Sequence, residues 1–234
     1  MCFQWQTKAS ALIIFGEGKG ISQLIKVYIA RHGETTWNAE MRVQGRSDSC
    51  LTAHGHAQSL ALLKQLRDRP LSAIYSSTLR RSIQTAQPLS QHFNLPIQKR
   101  SELDELAFGI LEGKQLSHLD EGERAEWERF RAHRFTYRIP GAENYTDVAQ
   151  RLRPFEEAIL QKHRGEEILV VGHRGVNRML IGLLLEMQLE EAVKIEQTND
   201  CIYLIQRNDE TTVFHMMDGK NGQGLLFEGQ RIVL

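Results

Sequence analysis

Leu24-Ile25-Lys26-Val27-Tyr28-Ile29-Ala30-Arg31-His32-Gly33-Glu34-Thr35 is the stretch from which the fold is read. Its first seven residues are rich in β-branched and aromatic side chains and stop abruptly at Arg31-His32-Gly33, the pattern of a strand that ends at a polar loop. Similar apolar bursts recur at Ala73-Ile74-Tyr75, Ile168-Leu169-Val170-Val171 and Cys201-Ile202-Tyr203-Leu204-Ile205. Between them the period changes to a helical one. Thr52 is placed to cap a helix whose Ala57, Leu60, Ala61, Leu63 and Leu66 share one broad face, and 79–93 and 176–185 also read as helices. Strands separated by helices imply parallel pairing with helices on both faces, so the fold class is α/β: a three-layer α/β/α arrangement around a mostly parallel central sheet. Two further helical stretches, 116–133 and 144–163, follow one another with no strand between them and read as a short helical insertion over the active-site end of the sheet. Pro154 is expected to kink or divide the second.

The chain of 234 residues suits one domain, assigned to residues 23–234. Residues 1–22 precede the first strand, show no period and contain Gly16, Gly18 and Gly20. They read either as a disordered extension or as a stretch upstream of the true start. With 29 basic and 29 acidic residues there is no global field to attract nucleic acid or an anionic membrane. Cys2, Cys50 and Cys201 lack both disulfide and metal-ligand spacing, which fits a cytoplasmic setting. The apolar run from Ala9 to Phe15 falls well below the roughly 18 residues needed to span a bilayer.

The two bursts most like buried central strands both end in a histidine beside an arginine: Arg31-His32-Gly33 and Gly172-His173-Arg174-Gly175. Ligands of open parallel sheets sit beyond the carboxyl ends of the strands, so this placement brings His32 and His173 into one site. A helix starting near Val176 aims its N-terminal amides at the same cleft, which favours an anion. A third strand end, Ser76-Ser77, leads into Arg80-Arg81, of which at least one suits a phosphoryl group held by Arg31. Two guanidinium groups and two imidazoles around one phosphoryl group suit phosphoryl transfer, which needs charge neutralised on the equatorial oxygens and an in-line nucleophile. A histidine suits that role when one ring nitrogen is free and the other is held by a hydrogen bond that fixes the tautomer. A leaving alkoxide also needs a proton, and Glu105 lies in a loop from which it can reach over the site, although from composition alone Asp104 and Glu102 serve equally.

Those residues carry a family resemblance. Arg31-His32-Gly33-Glu34-Thr35 with Asn38, then Gln44-Gly45 and Asp48, Leu51-Thr52-x-x-Gly55-x-x-Gln58, Ser76-Ser77-x-Leu79-x-Arg81-x-x-x-Thr85-Ala86, Glu105-x-x-Phe108-Gly109-x-x-Glu112-Gly113, and Gly172-His173 together resemble the histidine phosphatase superfamily, the phosphoglycerate mutase-like group. The match covers 25 to about 185. The resemblance implies that His32 is phosphorylated, that Arg31, Arg81 and His173 form the phosphate pocket, that Glu105 is the proton donor, and that Asn38 adds a phosphate contact. Gln44 and Gly45 are expected at the substrate, and no metal or other cofactor is implied. Cys50 stands where a proline is common, Leu111 where an aromatic is common, and Arg174 where a small residue is usual. Arg174 therefore reads either as a substrate contact or as a solvent-pointing side chain.

His173 follows Glu105 by 68 positions, a shorter interval than the mutases of this family carry. The resemblance thus points to a metal-independent phosphomonoesterase of the phosphatase branch acting on a small phosphorylated metabolite, with phosphoglycerate mutase-type transfer as the alternative. Arg124, Arg129, Arg131, His133, Arg134, Tyr137 and Arg138 crowd the insertion, either to meet a second anionic group of the substrate or as a charged helix face paired with Glu123, Glu126 and Glu128. A sugar phosphate, a phosphoglycerate-like acid, phosphoserine and a ribazole phosphate are all admissible substrates. A non-catalytic phospholigand-binding module should lack the nucleophile or the acid, and this chain has both. A metal site at His54-Gly55-His56 lacks a third ligand nearby in sequence. The partners expected are a small phosphorylated substrate and, at most, a second copy in a homodimer, with no nucleic acid and no membrane.

Overall fold

Strand bursts and helical periods alternate along the chain, and the elements follow them. A computed structural model describes residues 24–208 and the backbone of 212–218 and 226–228; residues 1–22, read above as an extension, lie outside the described residues. The order is β1 (Ile25–Arg31), a one-turn α1 (Thr36–Ala39), α2 (Ala53–Leu66), β2 (Leu71–Ser76), α3 (Arg80–Phe93), β3 (Ile97–Lys99), α4 (Glu121–Ala132), α5 (Tyr145–Lys162), β4 (Glu167–Gly172), α6 (Arg174–Leu184), α7 (Leu189–Ala192), β5 (Cys201–Arg207), β6 (Thr212–Asp218) and β7 (Leu226–Glu228).

Side chains of a strand alternate between faces, and here both faces are apolar, so both must be covered. Tyr28, Ala30, Ile74, Leu169, Val171, Ile202 and Leu204 pack with Leu62 and Leu66 of α2 and Ala86 and Leu89 of α3. Their alternates Val27, Ile29, Ala73, Tyr75, Ile168, Val170, Tyr203 and Ile205 pack with Val148, Leu152, Phe155 and Ile159 of α5 and with Val176, Met179 and Leu180 of α6. Each fully buried leucine contributes on the order of 1.5–3 kcal/mol. The result is the α/β/α sandwich read from the sequence.

The sheet order is β3-β2-β4-β1-β5-β6-β7, and the first four strands are parallel. Parallel pairing of helix-separated strands stops at Cys201–Ile205, because β5 runs antiparallel to β1. The segment between α7 and β5 carries the chain back to the carboxyl end of β1. There Gln197 Nε2 donates to the Ile29 carbonyl at 3.1 Å and Asn199 Nδ2 to that of His32 at 2.6 Å. β5 therefore starts where β1 ends.

Pro154 does not divide its helix: α5 runs unbroken from Tyr145 to Lys162. Leu152, Phe155 and Ile159 are buried around the proline, while Pro154 and Gln150, whose carbonyl loses its helical donor, both belong to exposed residues. Burial on one side thus outweighs a lost bond on the wet side. α5 also belongs to the coat of the sheet, leaving α4 as the insertion. Trp127 and Phe130 of α4 pack on Phe108, and Phe130 stacks on Tyr145.

Thr52 caps α2 as read, its Oγ1 accepting from the Gly55 amide at 3.0 Å, but the face read from the sequence is not the buried one: Gly55, Ser59, Leu62 and Leu66 turn inward, while Ala57, Leu60 and Ala61 are exposed. This cap lies against the loop after β1: a Cβ at Gly55 would come within 2.0 Å of the Glu34 carbonyl oxygen. Gly55→Ala is therefore expected to destabilise the fold by about 1–3 kcal/mol in urea unfolding, through overpacking against backbone. Leu60→Ser, at a side chain 59% exposed on the same helix, should change it by less than about 0.5 kcal/mol. Equal effects of the two would contradict the close approach.

Candidate active site

The register of β1 against β4 sets Arg31 opposite Gly172, so the next residue of each strand is a histidine. The His32 amide donates to the Gly172 carbonyl at 3.0 Å, and the two imidazole rings lie 5.1 Å apart, tilted by 56°. β2 ends level with them, where the Ser77 amide donates to the Val171 carbonyl at 3.2 Å. The three strand ends that the sequence singled out therefore converge.

His32 is almost wholly buried, and its Nδ1 lies 2.8 Å from the carbonyl of Gly33. A carbonyl only accepts, so Nδ1 carries the hydrogen and Nε2 keeps its lone pair. The backbone around it is pinned by Asn199, which donates to the His32 carbonyl, and by Thr85 Oγ1, which accepts from the Gly33 amide at 2.9 Å. His173 shows the opposite tautomer. Arg81 Nε donates to its Nδ1 at 3.2 Å, so Nε2 bears the hydrogen and gives it to Ser77 Oγ at 2.7 Å, with Ser82 Oγ at 3.2 Å.

Burial first, then the charges of Arg31 and Arg81, hold His32 well below the ordinary imidazole range, against the smaller pull of its bond to Gly33. His173 is held down by burial and then by Arg81. Both rings are neutral. Arg31 is itself lowered to about 10 by burial, offset by Glu105 and lowered further by Arg174, Arg178 and Arg81, so it stays cationic at neutral pH. Among the described residues it makes one long bond, from Nη1 to the Gln197 carbonyl at 3.4 Å, and its buried Nε has no hydrogen-bond partner there.

Arg81 is 1% exposed and largely committed to the protein. Besides the bond to His173, its Nη1 donates to the Ser47 carbonyl at 2.6 Å and to Asp48 Oδ1 at 3.1 Å, and its Nη2 donates to the Gly45 carbonyl at 2.7 Å. Of five N–H donors, one on Nη2 stays free of these contacts. Arg81 thus braces the loop that carries Gln44 and Gly45. Glu112 holds the same loop from the other side, accepting from the amides of Arg46 and Ser47 and from the Phe108 amide.

Glu105 lies at the amino end of α6. Its carboxylate accepts from the amides of Leu106 (2.9 Å), Gly175 (3.2 Å) and Val176 (3.3 Å). Gly175 permits this, because a Cβ there would stand 2.7 Å from Glu105 Oε1 and 3.5 Å from the Tyr145 hydroxyl. His173 gives α6 no side-chain cap, and Glu105 takes the amides of Gly175 and Val176 instead, so the anion at this helix end is the protein's own carboxylate and not, as read from the sequence, a ligand.

The remaining candidates divide. Asn38 Oδ1 closes a capping box with Thr35 at the end of the His32 loop, and Gln44 is buried with its Oε1 accepting from Ser49. Arg80 is exposed and not bonded to the histidines; its amide donates to Asp48 Oδ2 at 2.5 Å. Arg174 is paired with Glu196 at 2.8 Å, its side chain 46% exposed. In the insertion Arg129 and Glu126 share Tyr137, Arg138 pairs with Asp147, and Arg124 and Arg134 bond nearby carbonyls. These are the local pairings of a charged face. Arg134 also acts at a distance, lowering the Tyr145 hydroxyl that burial and Glu105 raise. His54 and His56 are both exposed on α2.

Sequence reasoning gave no role to Ser77, Ser82, Asn177, Gln197, Asn199, Glu143 or Arg151. Asn177 falls one helical turn after His173, a spacing that signals a shared face, and its Nδ2 bonds the Ala30 carbonyl and Gln197 Oε1. Gln197 and Asn199 sit in an aperiodic stretch that offers no local signal.

Two buried neutral imidazoles have a consequence for pH. The unfolded chain takes up these protons near pH 6.5, and the folded chain does not. Folding stability is therefore complete above that pH and declines below it. Denaturant unfolding between about pH 7.5 and about pH 5.5 should show the decline, and His173→Gln should reduce its slope. A flat profile in the parent protein would show that the rings are not held neutral.

A model of the histidine phosphatase superfamily (branch 1) matches residues 27–218, which takes in β5 and β6 as well as the segment carrying the motifs. The probable phosphoglycerate mutase GpmB of Salmonella choleraesuis (strain SC-B67) is 37% identical over 151 residues, which is 64% of this chain and 70% of that protein. Bacillus stearothermophilus YhfR is similar in structure with a TM-score of 0.73 at 27% identity, over 88% of this chain and 95% of that one. The alpha-ribazole phosphatase from Shigella flexneri gives 0.73 at 26%, over 79% and 91%. With its paired strand-end histidines and a family match over most of its length, the chain belongs to the histidine phosphatase superfamily.

Proposed function

We propose that the protein is a metal-independent phosphomonoesterase that hydrolyses a small phosphorylated metabolite through a phosphohistidine on His32. The observation that carries this reading is the bond from His32 Nδ1 to the Gly33 carbonyl, which leaves a neutral Nε2 lone pair beside two guanidinium groups. Nε2 attacks phosphorus as the ester P–O bond breaks, and Arg31 and the free Arg81 N–H meet the charge on the phosphoryl oxygens. Glu105 gives the leaving oxygen its proton and then takes one from the water that attacks the phosphohistidine, returning free His32 and inorganic phosphate. Asn38, Gln44 and Gly45 line the approach from the loop after β1, and His173 buttresses the pocket in its neutral form. Arg174, held by Glu196, stands at the rim and is released toward substrate only if that pair opens.

A second reading is phosphoryl transfer between substrate hydroxyls. Its support is the 37% identity to proteins named probable phosphoglycerate mutase. Hydrolysis is favoured by the short span between Glu105 and His173, in which α4 is the sole insertion helix, since a mutase must keep water from its intermediate during reorientation.

His32→Ala should lower p-nitrophenyl phosphate hydrolysis by at least about 10³-fold, and a chelator should leave the parent rate unchanged. With 3-phosphoglycerate, phosphate release should exceed formation of the 2-isomer. Activity retained by His32→Ala, or lost to the chelator, would overturn the mechanism. Isomer formation outpacing phosphate release would establish the mutase reading instead.

A further inference from the structure

The loop 102–108 carries Glu105 and has no regular secondary structure of its own beyond one 3-10 turn at its start. Its shape is set from outside. Leu103 and Leu106 are fully buried on either side of Glu105, and Asp104 accepts from the amide and hydroxyl of Thr78. A third anchor comes from α5. Arg151 Nη1 donates to the Glu102 carbonyl at 2.5 Å, and its Nη2 donates to the Asp104 carbonyl at 2.6 Å, with the Glu105 carbonyl at 3.4 Å.

Arg151 is aimed in turn. Its Nε and Nη2 bond the two carboxylate oxygens of Glu143 at 2.9 and 3.2 Å. Glu143 also accepts from the Ala107 amide at 3.1 Å and from Arg46 Nη2 at 2.9 Å, and its own amide donates to the Ala107 carbonyl at 3.0 Å. One ion pair therefore joins α5, the Glu105 loop and the loop braced by Arg81. Neighbouring Asn144 caps α5 and is buried, so the pair rests on a rigid element.

We infer that Arg151, held by Glu143, is a positioning residue for the reaction: its guanidinium clamps the backbone carbonyls before and at Glu105 and so fixes where the proton-donating carboxyl stands. The inference rests on the acid role proposed for Glu105. The buried leucines and the Asp104–Thr78 bonds keep the loop folded without Arg151, so its loss is read in catalysis and not chiefly in folding. Lysine cannot replace it, since one ammonium cannot span several carbonyls and a carboxylate as a planar fork does.

A protein that has lost a well-placed acid suffers most where the leaving oxygen most needs a proton. The test compares p-nitrophenyl phosphate, whose leaving group departs without help, with the alkyl ester β-glycerophosphate. Arg151→Met should lower kcat/KM, which reports the steps up to release of the leaving group and so leaves out the shared hydrolysis of the phosphohistidine, by about 10–100-fold on the alkyl ester and by less than about 3-fold on the aryl ester. Arg151→Lys should show the same selectivity in smaller degree, and it replaces the methionine variant if that one does not fold. Glu105→Gln should be selective in kcat/KM by about 10²-fold or more, and adding Arg151→Met to it should cost nothing further in kcat/KM on the alkyl ester.

Equal losses on both esters for the Arg151 variants, with Glu105→Gln still selective, would overturn the positioning role alone. Additive losses in the double variant would do the same. If Glu105→Gln is itself unselective, the acid assignment fails and the inference falls with it.

Discussion

The parallel register between β1 and β4, with Arg31 opposite Gly172, is the constraint on which the site depends. It places two histidines on adjacent strand ends, and the polar groups around them follow from that placement. A slip of one residue would turn every side chain of β1 to the opposite face and exchange its two apolar sets between the helical layers. The register is thus fixed by burial on both faces of the sheet, far from the chemistry. Catalytic geometry is here a by-product of core packing.

Charge is the second constraint. Arg174, Arg178 and Arg81 lie near enough to lower Arg31, and burial first, with Arg31 and Arg81 acting on both rings and Arg151 on His173, keeps the imidazoles neutral. The protein answers the crowding in two ways. Carboxylates of Asp48, Glu196 and Glu143 take up Arg81, Arg174 with Arg178, and Arg151. Glu105, at the amino end of α6, offsets Arg31 itself. Among the described residues Arg31 leaves most of its donors unused, which suits it to receive a phosphoryl group.

Much of this was legible in the sequence, for reasons that can be named. Strand bursts and helical periods located β1, β2, β4, β5 and the coating helices because an apolar pattern is a direct record of burial on two faces. Polar endings at Arg31-His32, Ser76-Ser77 and Gly172-His173 located the site because parallel strands end together. The direction of β5 was not legible, since it depends on Gln197 and Asn199 bonding the end of β1 from an aperiodic stretch. The continuity of α5 through Pro154 was not legible either, as it reflects which side of the helix is wet. Arg81 carried a signal for a phosphate ligand, and the structure adds that most of its donors brace the loop from Gly45 to Asp48. The Glu143–Arg151 pair gave no signal because its partners are backbone carbonyls, which any sequence supplies.

The central claim is that His32 Nε2 accepts the phosphoryl group, and the direct measurement is identification of the covalent intermediate. Rapid alkaline quench during turnover, followed by mass spectrometry of the peptide containing His32 and separation of the phosphohistidine isomers, tests it. The account predicts phosphate on His32 at Nε2, absent from His32→Ala. Phosphate on Nδ1 or on another residue, or steady turnover with no phosphoenzyme when its hydrolysis is made slow, would contradict it.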